Sequence, residues 1–162
     1  MIKANPFLKR AAIAVFAVSA VVSVVQAADA FYIGRWKIDS AVVAPWWKEA
    51  QKPDDAEMKQ LVGKTMVITA KAIQGPRQHA CADPRFKVKD YPADMLFQGG
   101  FGEMHLNDKS VDPVKVAAKL GFHGTSWKTL ETGCATEIDY HFLDSNRAAF
   151  ALNNYIYYLT RQ

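Results

Sequence analysis

The C-terminal stretch of the chain most constrains what it can fold into. Residues 129–142 and 148–161 are rich in Thr, Ile, Tyr and Phe, and the polar run at residues 144–147 separates them. Asn153-Asn154 divides the second run at a point where a tight hairpin turn fits. Such segments predict consecutive antiparallel strands. We expect the last strand to pair with the first strand, near residues 34–38.

The N-terminal segment predicts a cleaved signal peptide. Three basic residues in the first ten positions precede an uncharged apolar run at residues 11–25, and residues 25–27 fit a signal-peptidase site, with Ala30 as a second option. The run of fifteen residues is shorter than the roughly 20 that span a bilayer. We therefore expect residues 1–27 to be removed and residues 28–162 to form a single domain without a stable membrane span. The protein should reach the bacterial periplasm or be secreted.

The net charge gives no support to nucleic-acid binding. The whole chain carries a formal charge of +4, but three of its 20 basic residues and none of its 16 acidic residues lie in the predicted signal peptide. The remaining chain therefore has a formal charge of +1. Nucleic-acid binding would require clustered Lys and Arg on one face.

The two cysteines, Cys81 and Cys134, both lie in the predicted mature chain. In an oxidising compartment, two such residues most simply form one disulfide. The bond would close a loop of about fifty residues and contribute about 4 kcal/mol in the chain-entropy model. A reactive thiol pair is the alternative, although no Cys-x-x-Cys motif is present.

Turn residues and apolar alternation divide the middle of the chain into short elements. Strands are predicted at residues 31–39, 65–73 and 85–91, with Phe86 and Val88 facing the core, and a long connection at residues 40–63. Short helices are predicted at residues 54–62 and, after Asp112-Pro113, at residues 114–120. Residues 99–102, Gly-Gly-Phe-Gly, are predicted to form a turn. The pattern predicts a mainly β fold with a minor α part: a single, small, antiparallel β-barrel with one or two short helices.

Gly34-Arg35-Trp36 resembles the Gly-x-Trp motif of lipocalins and related calycin barrels. In those folds the Trp plugs the closed end of the barrel and a basic residue of the last strand packs across it. The resemblance implies a structural contact between Trp36 and Arg161, and a lid formed by residues 40–63. The later lipocalin motifs are absent. The whole mature chain also resembles an uncharacterised family of small secreted bacterial proteins, which implies no activity.

Pro45-Trp46-Trp47 is the most suggestive segment for ligand binding. Two adjacent tryptophans in a loop cannot easily enter one core together, and exposed aromatic side chains often contact ligands. We expect Trp46 and Trp47, with Met95, Phe97 and Phe101, to line the mouth of the barrel and hold a small apolar molecule. The alternative is that both tryptophans only cap the barrel end against water.

The sequence predicts no catalytic residue, metal site or cofactor. The four histidines lack the spacing of metal ligands, and no nucleophile elbow is present. Glu137, Asp139 and His141 alternate with residues 138, 140 and 142, so the two sets should lie on opposite faces of a strand, the first set exposed to solvent. Glu131, Glu137 and Asp139 could assemble a carboxylate pair of the kind found in glycosidases, but a solvated face is the simpler interpretation.

These observations predict a periplasmic or secreted, non-enzymatic protein that holds a small apolar or amphipathic ligand in a β-barrel. The alternative is a periplasmic interaction module, such as a hydrolase inhibitor or an envelope accessory protein, which would bind a protein partner through an exposed loop at residues 99–108.

Overall fold

A computed structural model describes residues 30–47, 53 and 55–162. The predicted signal peptide lies outside the described residues, as do residues 48–52 and 54 of the predicted connection between the first strand and the first helix.

In the described part of the chain, eight strands form one antiparallel sheet in the order β3-β2-β1-β8-β7-β6-β5-β4. They are β1 (Gly34–Val43), β2 (Thr65–Ile68), β3 (Ile73–Gln74), β4 (Lys87–Pro92), β5 (Ser126–Glu131), β6 (Tyr140–Phe142), β7 (Arg147–Leu152) and β8 (Tyr155–Arg161). The sheet is curled into a half-barrel. The predicted pairing of the last and first strands is confirmed, with Trp36 opposite Arg161. The mainly antiparallel β class is confirmed as well.

Among the described residues, three α-helices accompany the sheet: α1 (Asp55–Leu61), α2 (Leu96–Asn107) and α3 (Pro113–Lys119). The two predicted helices correspond to α1 and α3. At the start of α3, Asp112 Oδ1 accepts hydrogen bonds from the backbone amides of Val114, at 3.0 Å, and Lys115, at 3.4 Å. This cap and the proline at the first helical position explain why the helix begins there.

The turn predicted at residues 99–102 is correct only at its first residue. Phe97, Gln98 and Gly99 have φ values of 53°, 55° and 80° and reverse the chain, whereas residues 100–102 belong to the regular part of α2, which continues to Asn107. Gly102 has a packing role: a Cβ there would lie 2.8 Å from the backbone oxygen of Asp94. The glycine therefore permits close contact between the helix and the preceding 3-10 turn, Ala93–Met95.

Three strand predictions also need correction. The strand predicted at residues 65–73 is two strands, because Thr69 Oγ1 accepts from Ala72 N at 3.0 Å and forms a turn. The first strand extends to Val43, so the connection after it is shorter than residues 40–63. Val88 does not face the core as predicted: it is 43% exposed, and all four residues from Lys87 to Asp90 on the edge strand β4 are exposed.

The sheet buries side chains on both faces. On the inner face, one core cluster joins residues from both ends of the sheet, such as Ile68 in β2 and Leu130 in β5, which places this cluster on the concave side of the curl. Large side chains fill it: Trp36, Tyr140, Phe150 and Tyr157 are fully buried. On the outer face, α2 and α3 cover β5 to β8 with a second cluster.

The predicted disulfide between Cys81 and Cys134 is confirmed, with 6.1 Å between the Cα atoms. Cys81 pairs with Ile73 of β3 at one end of the sheet. Cys134 follows β5, next to the edge strand at the other end. The bond therefore joins the two ends of the curled sheet.

Candidate ligand-binding cleft

Three of the five residues predicted to bind a ligand line one cleft of 660 Å³ on the helix-covered side of the sheet. They are Trp46, Trp47 and Phe97. The described residues that complete the lining come from the segment after β1, from α2 and the turn that follows it, and from the end of β7: Pro45, Gln98, Gly100, Glu103, Met104, Asn107, Asp108, Val111, Ala151 and Asn153.

A short turn places the two tryptophans beside the β7–β8 hairpin. Ala44 N donates to the backbone oxygen of Asn154 at 2.9 Å, and Trp47 N donates to the backbone oxygen of Ala44 at 2.9 Å. Asn153, in that hairpin turn, has a φ of 51°, as the Asn-Asn sequence predicts. The end of β1 and the hairpin are therefore fixed to each other at one wall of the cleft.

Trp46 packs on aromatic rings of α2. Its ring centroid lies 6.0 Å from those of Phe97 and Phe101. A Cβ at Gly100 would lie 3.0 Å from the indole, so the helix approaches the ring through a residue without a side chain. Phe101 itself is fully buried and supports the floor of the cleft from below.

Met95 does not belong to the cleft, contrary to the prediction. It ends the 3-10 turn before α2 and is 46% exposed. Leu96 is extended, and the left-handed residues that follow it reverse the chain. Met95 and Phe97 therefore lie on different sides of this reversal.

A buried histidine holds the left-handed segment in place. Phe97 N donates to Nε2 of His141 at 2.9 Å, and Nδ1 of His141 lies 2.8 Å from Oγ1 of Thr129. Because Nε2 accepts a hydrogen bond, the ring is neutral and carries its proton on Nδ1. Complete burial lowers the pKa of His141 to about 3. This arrangement offsets the backbone strain of non-glycine residues at positive φ.

The prediction that His141 is exposed to solvent is wrong. All three residues of β6, Tyr140 to Phe142, are buried. The strand alternates as expected, but α2 covers the outer face and makes that face apolar as well. Of the three residues predicted to be exposed, Glu137 is exposed and Asp139 is half-buried.

The three candidate carboxylates line a second cleft, of 720 Å³, together with Arg85 and Lys87. Glu131 pairs with Lys89 Nζ at 2.7 Å and accepts from Tyr91 Oη at 2.6 Å, and these two contacts lower the pKa of Glu131. Burial, with a smaller contribution from Glu131, raises the pKa of Asp139 to about 6. This cleft is charged and mixed in sign, and Gln98 lines both clefts.

The cleft residues contributed by α2 were missed in the sequence. Glu103, Met104 and Asn107 follow Gly100 at helical spacings of three, four and seven residues, so they share a helix face. This signal becomes visible once residues 99–102 are assigned to a helix rather than a turn.

Within the described part of the chain, no group of three or more His, Cys, Asp or Glu side chains is arranged to hold a metal ion. The described helices include none that is both long and apolar enough to cross a membrane.

The described residues form an eight-stranded, curled antiparallel sheet with helices packed on its outer face and a mixed aromatic and polar cleft beside them. A scan against protein-family models found no match, and searches of the curated proteins and of the solved structures found no significant match.

Proposed function

We propose that this protein is a non-enzymatic binding protein that holds a small amphipathic or apolar molecule in the cleft formed by Trp46, Trp47 and Phe97. The observation that carries the proposal is the cleft itself. Its volume of 660 Å³ falls within the roughly 300–1,000 Å³ of small-molecule sites. Its lining combines indole, phenyl and thioether groups with a few amides and carboxylates, the usual composition of such sites.

The ligand would lie outside the sheet rather than in a barrel interior. Large side chains such as Trp36 and Phe150 fill the concave face, where a lipocalin-like binder would hold its ligand. The cleft lined by Trp46, Trp47 and Phe97, called the aromatic cleft below, offers space on the opposite side of the sheet, against α2.

The cleft is supported before any ligand arrives. Trp46 rests on Phe97 and Phe101, and the backbone of Phe97 is held by buried His141. A preformed site loses less conformational entropy on binding than one that must be ordered. This support favours a binding role over the alternative in which the tryptophans only cap the sheet.

A lipocalin-like relation and a location outside the cytoplasm belong to the same proposal. Two observations support the lipocalin-like relation. The sheet is curled into a half-barrel, and Arg161 lies over the Trp36 ring, 4.3 Å from its centroid. The disulfide supports an oxidising compartment, such as the bacterial periplasm or the extracellular space.

The alternative function, a protein-interaction module acting through a loop at residues 99–108, has less support. Residues 99–107 belong to α2, and Phe101 anchors this helix in the core. The segment is therefore packed on the sheet rather than protruding as a loop.

Native mass spectrometry of the protein purified without denaturant tests the proposal. We expect a fraction with extra mass that is lost on denaturation. The variant Trp47→Ala should lose that fraction, whereas Leu106→Ala should keep it. Leu106 is 70% exposed on the same helix as Met104 but does not line the cleft.

Two results would contradict the proposal. One is a clean apo mass for the wild-type protein together with no binding in a titration with amphiphiles. The other is a bound mass that Trp47→Ala retains in full, because that ligand would lie elsewhere.

A further inference from the structure

The charged side chains that line the aromatic cleft are acidic. Among the described residues that line it, Glu103 and Asp108 are acidic and none is Lys or Arg. The second cleft provides the contrast, because Arg85 and Lys87 line it together with carboxylates. The aromatic cleft therefore favours positive charge, whereas the second cleft has no single preference.

Asp108 is fixed as an anion at the end of α2. Its Oδ1 accepts from Ser110 N at 2.9 Å and from Ser110 Oγ at 2.7 Å, and these hydrogen bonds lower the pKa of Asp108. The carboxylate is therefore ionised at neutral pH and held in one orientation by the turn that follows the helix.

The aromatic part of the lining has the same preference. The faces of indole rings carry negative electrostatic potential, and tryptophan is the best aromatic partner for an organic cation. Trp46 and Trp47 both line the cleft that contains the two carboxylates. An ammonium group at this site would meet attraction from indoles and carboxylates together.

We propose that the ligand is an amphipathic organic cation, an amine or quaternary ammonium compound with an apolar tail; this inference rests on the proposed function. The tail would contact the apolar lining, namely Phe97, Met104 and Val111. The head would be attracted by Glu103 and Asp108. An anionic amphiphile of the same length would meet repulsion from these carboxylates.

Three amphiphiles that share a dodecyl tail provide the test: dodecyltrimethylammonium, dodecyl sulfate and dodecyl maltoside, each titrated below its critical micelle concentration and followed by calorimetry. We expect the cationic compound to bind about tenfold more tightly than the neutral one, as cation–π and carboxylate contacts of this kind allow. The anionic compound should bind more weakly than either. Added salt should reduce the preference for the cation.

Charge-removing variants locate the preference in the cleft. Glu103→Gln and Asp108→Asn should each weaken binding of the cationic compound about threefold or more, and both should leave binding of the maltoside unchanged. Asp83→Asn is the control, because it removes the same charge at an exposed position outside the cleft. It should leave all three affinities unchanged.

The outcomes separate this inference from the proposed function. Equal affinity for all three head groups, or a preference for the sulfate, would overturn the cation inference while the binding function stands. A preference for the cation that survives in both cleft variants would overturn it too. Failure of all three compounds to bind would contradict the proposed function, and the cation inference with it.

Discussion

Arg161, the last residue but one, joins three separate parts of the structure. Its guanidinium lies over the Trp36 ring, and its Nη1 and Nη2 donate to the backbone oxygens of Ile33 and Phe31. Its Nε donates to the backbone oxygen of Ser145 at 2.9 Å. The planar, five-donor guanidinium suits this combination of stacking and hydrogen bonding, which lysine cannot reproduce.

Replacing this side chain should destabilise the fold. We expect Arg161→Ala to lower the free energy of unfolding by about 1–3 kcal/mol, because it removes a cation–π contact and the hydrogen bonds to the backbone oxygens of Phe31, Ile33 and Ser145. Arg35→Ala provides a matched control, because Arg35 is an exposed arginine of β1. Urea unfolding of the three proteins gives the comparison, and equal effects of the two substitutions would contradict a special role for Arg161.

Two buried histidines should make the fold sensitive to acid. Burial lowers the pKa of His79 to about 4 and that of His141 to about 3. Nδ1 of His79 lies 2.7 Å from Tyr140 Oη, while its buried Nε2 has no hydrogen-bond partner among the described residues. Both rings are therefore neutral in the folded protein, whereas in the unfolded chain they take up protons below about pH 6.5.

The stability contributed by the neutral rings should be complete above pH 6.5 and decrease as the pH falls towards 4. Each unit of pKa difference corresponds to about 1.4 kcal/mol, so we expect each of the two rings to contribute a loss of about 3 kcal/mol between pH 7 and pH 4. Asp139 has the opposite effect on stability. Its pKa is raised to about 6 in the folded protein, so the free energy of unfolding that it contributes increases as the pH falls from about 6 towards the pKa of Asp139 in the unfolded chain. Since Asp139 is only half-buried, it offsets about 1 kcal/mol of the loss.

Urea unfolding measured at several pH values checks this prediction. His79→Gln should reduce the pH dependence, because it removes a buried ring that takes up a proton only on unfolding. A free energy of unfolding that stays constant from pH 7 to pH 4 would show that the histidines are not buried as neutral groups.

At the scale of the element, α2 shows where local sequence is a poor guide. Glycine has a low helix propensity, and three glycines in four residues favour a turn. The helix forms because Phe101 enters the core, and because Gly100 and Gly102 allow Trp46 and the 3-10 turn to approach closely. Tertiary packing thus outweighs the local preference.

Replacing Gly102 with alanine should have the opposite effect on stability from that usually seen in a helix. Glycine to alanine in a helix normally stabilises by about 1 kcal/mol. We expect Gly102→Ala to destabilise by about 1–3 kcal/mol instead, because the new Cβ would lie 2.8 Å from a backbone oxygen that cannot easily move. Gly100→Ala should cost less, because its Cβ would meet the Trp46 side chain.

Thermal unfolding of the two variants distinguishes these effects. A melting temperature for Gly102→Ala equal to or above that of the wild type would mean that α2 does not pack on the 3-10 turn as described. Gly100→Ala should change ligand binding more than stability, because it alters the support of the cleft.

Other elements could be predicted from sequence because their signals are local. The Asp112-Pro113 start of α3 and the Asn153 turn follow from capping and turn rules. The burial of His141 could not be predicted in this way. Alternation separates the two faces of a strand but does not show that a distant helix covers the polar one.

The same limit applies to the site. The adjacent tryptophans pointed to the cleft, because paired aromatic residues in a loop are unusual. The α2 face, the left-handed segment and the filled concave side depend on contacts between distant parts of the chain. The sequence therefore located one wall of the cleft, and the structure supplies the others.

For the whole molecule, the disulfide is the main constraint outside the hydrogen-bonded sheet. It closes a separation of 53 residues and joins the two ends of the sheet. We expect its reduction, or the double variant Cys81→Ala and Cys134→Ala, to lower the free energy of unfolding by about 4 kcal/mol in the chain-entropy model. Urea unfolding with and without reductant measures this difference.

Reduction should leave the aromatic cleft intact in protein that remains folded, because neither cysteine lines it. An unchanged unfolding midpoint on reduction would contradict the stabilising role of the bond. A loss of ligand binding in folded, reduced protein would mean that the cleft depends on the ends of the sheet being joined.

The most direct test of the binding cleft is a proton–nitrogen correlation spectrum of the side-chain indoles, recorded while dodecyltrimethylammonium or dodecyl maltoside is added. The chain has four tryptophans: Trp46 and Trp47 line the cleft, whereas Trp36 and Trp127 lie elsewhere in the two cores. We predict that the signals of Trp46 and Trp47 move with added ligand while those of Trp36 and Trp127 stay in place. Four stationary signals, or movement confined to Trp36 and Trp127, would contradict the proposal that this cleft is where the protein binds its ligand.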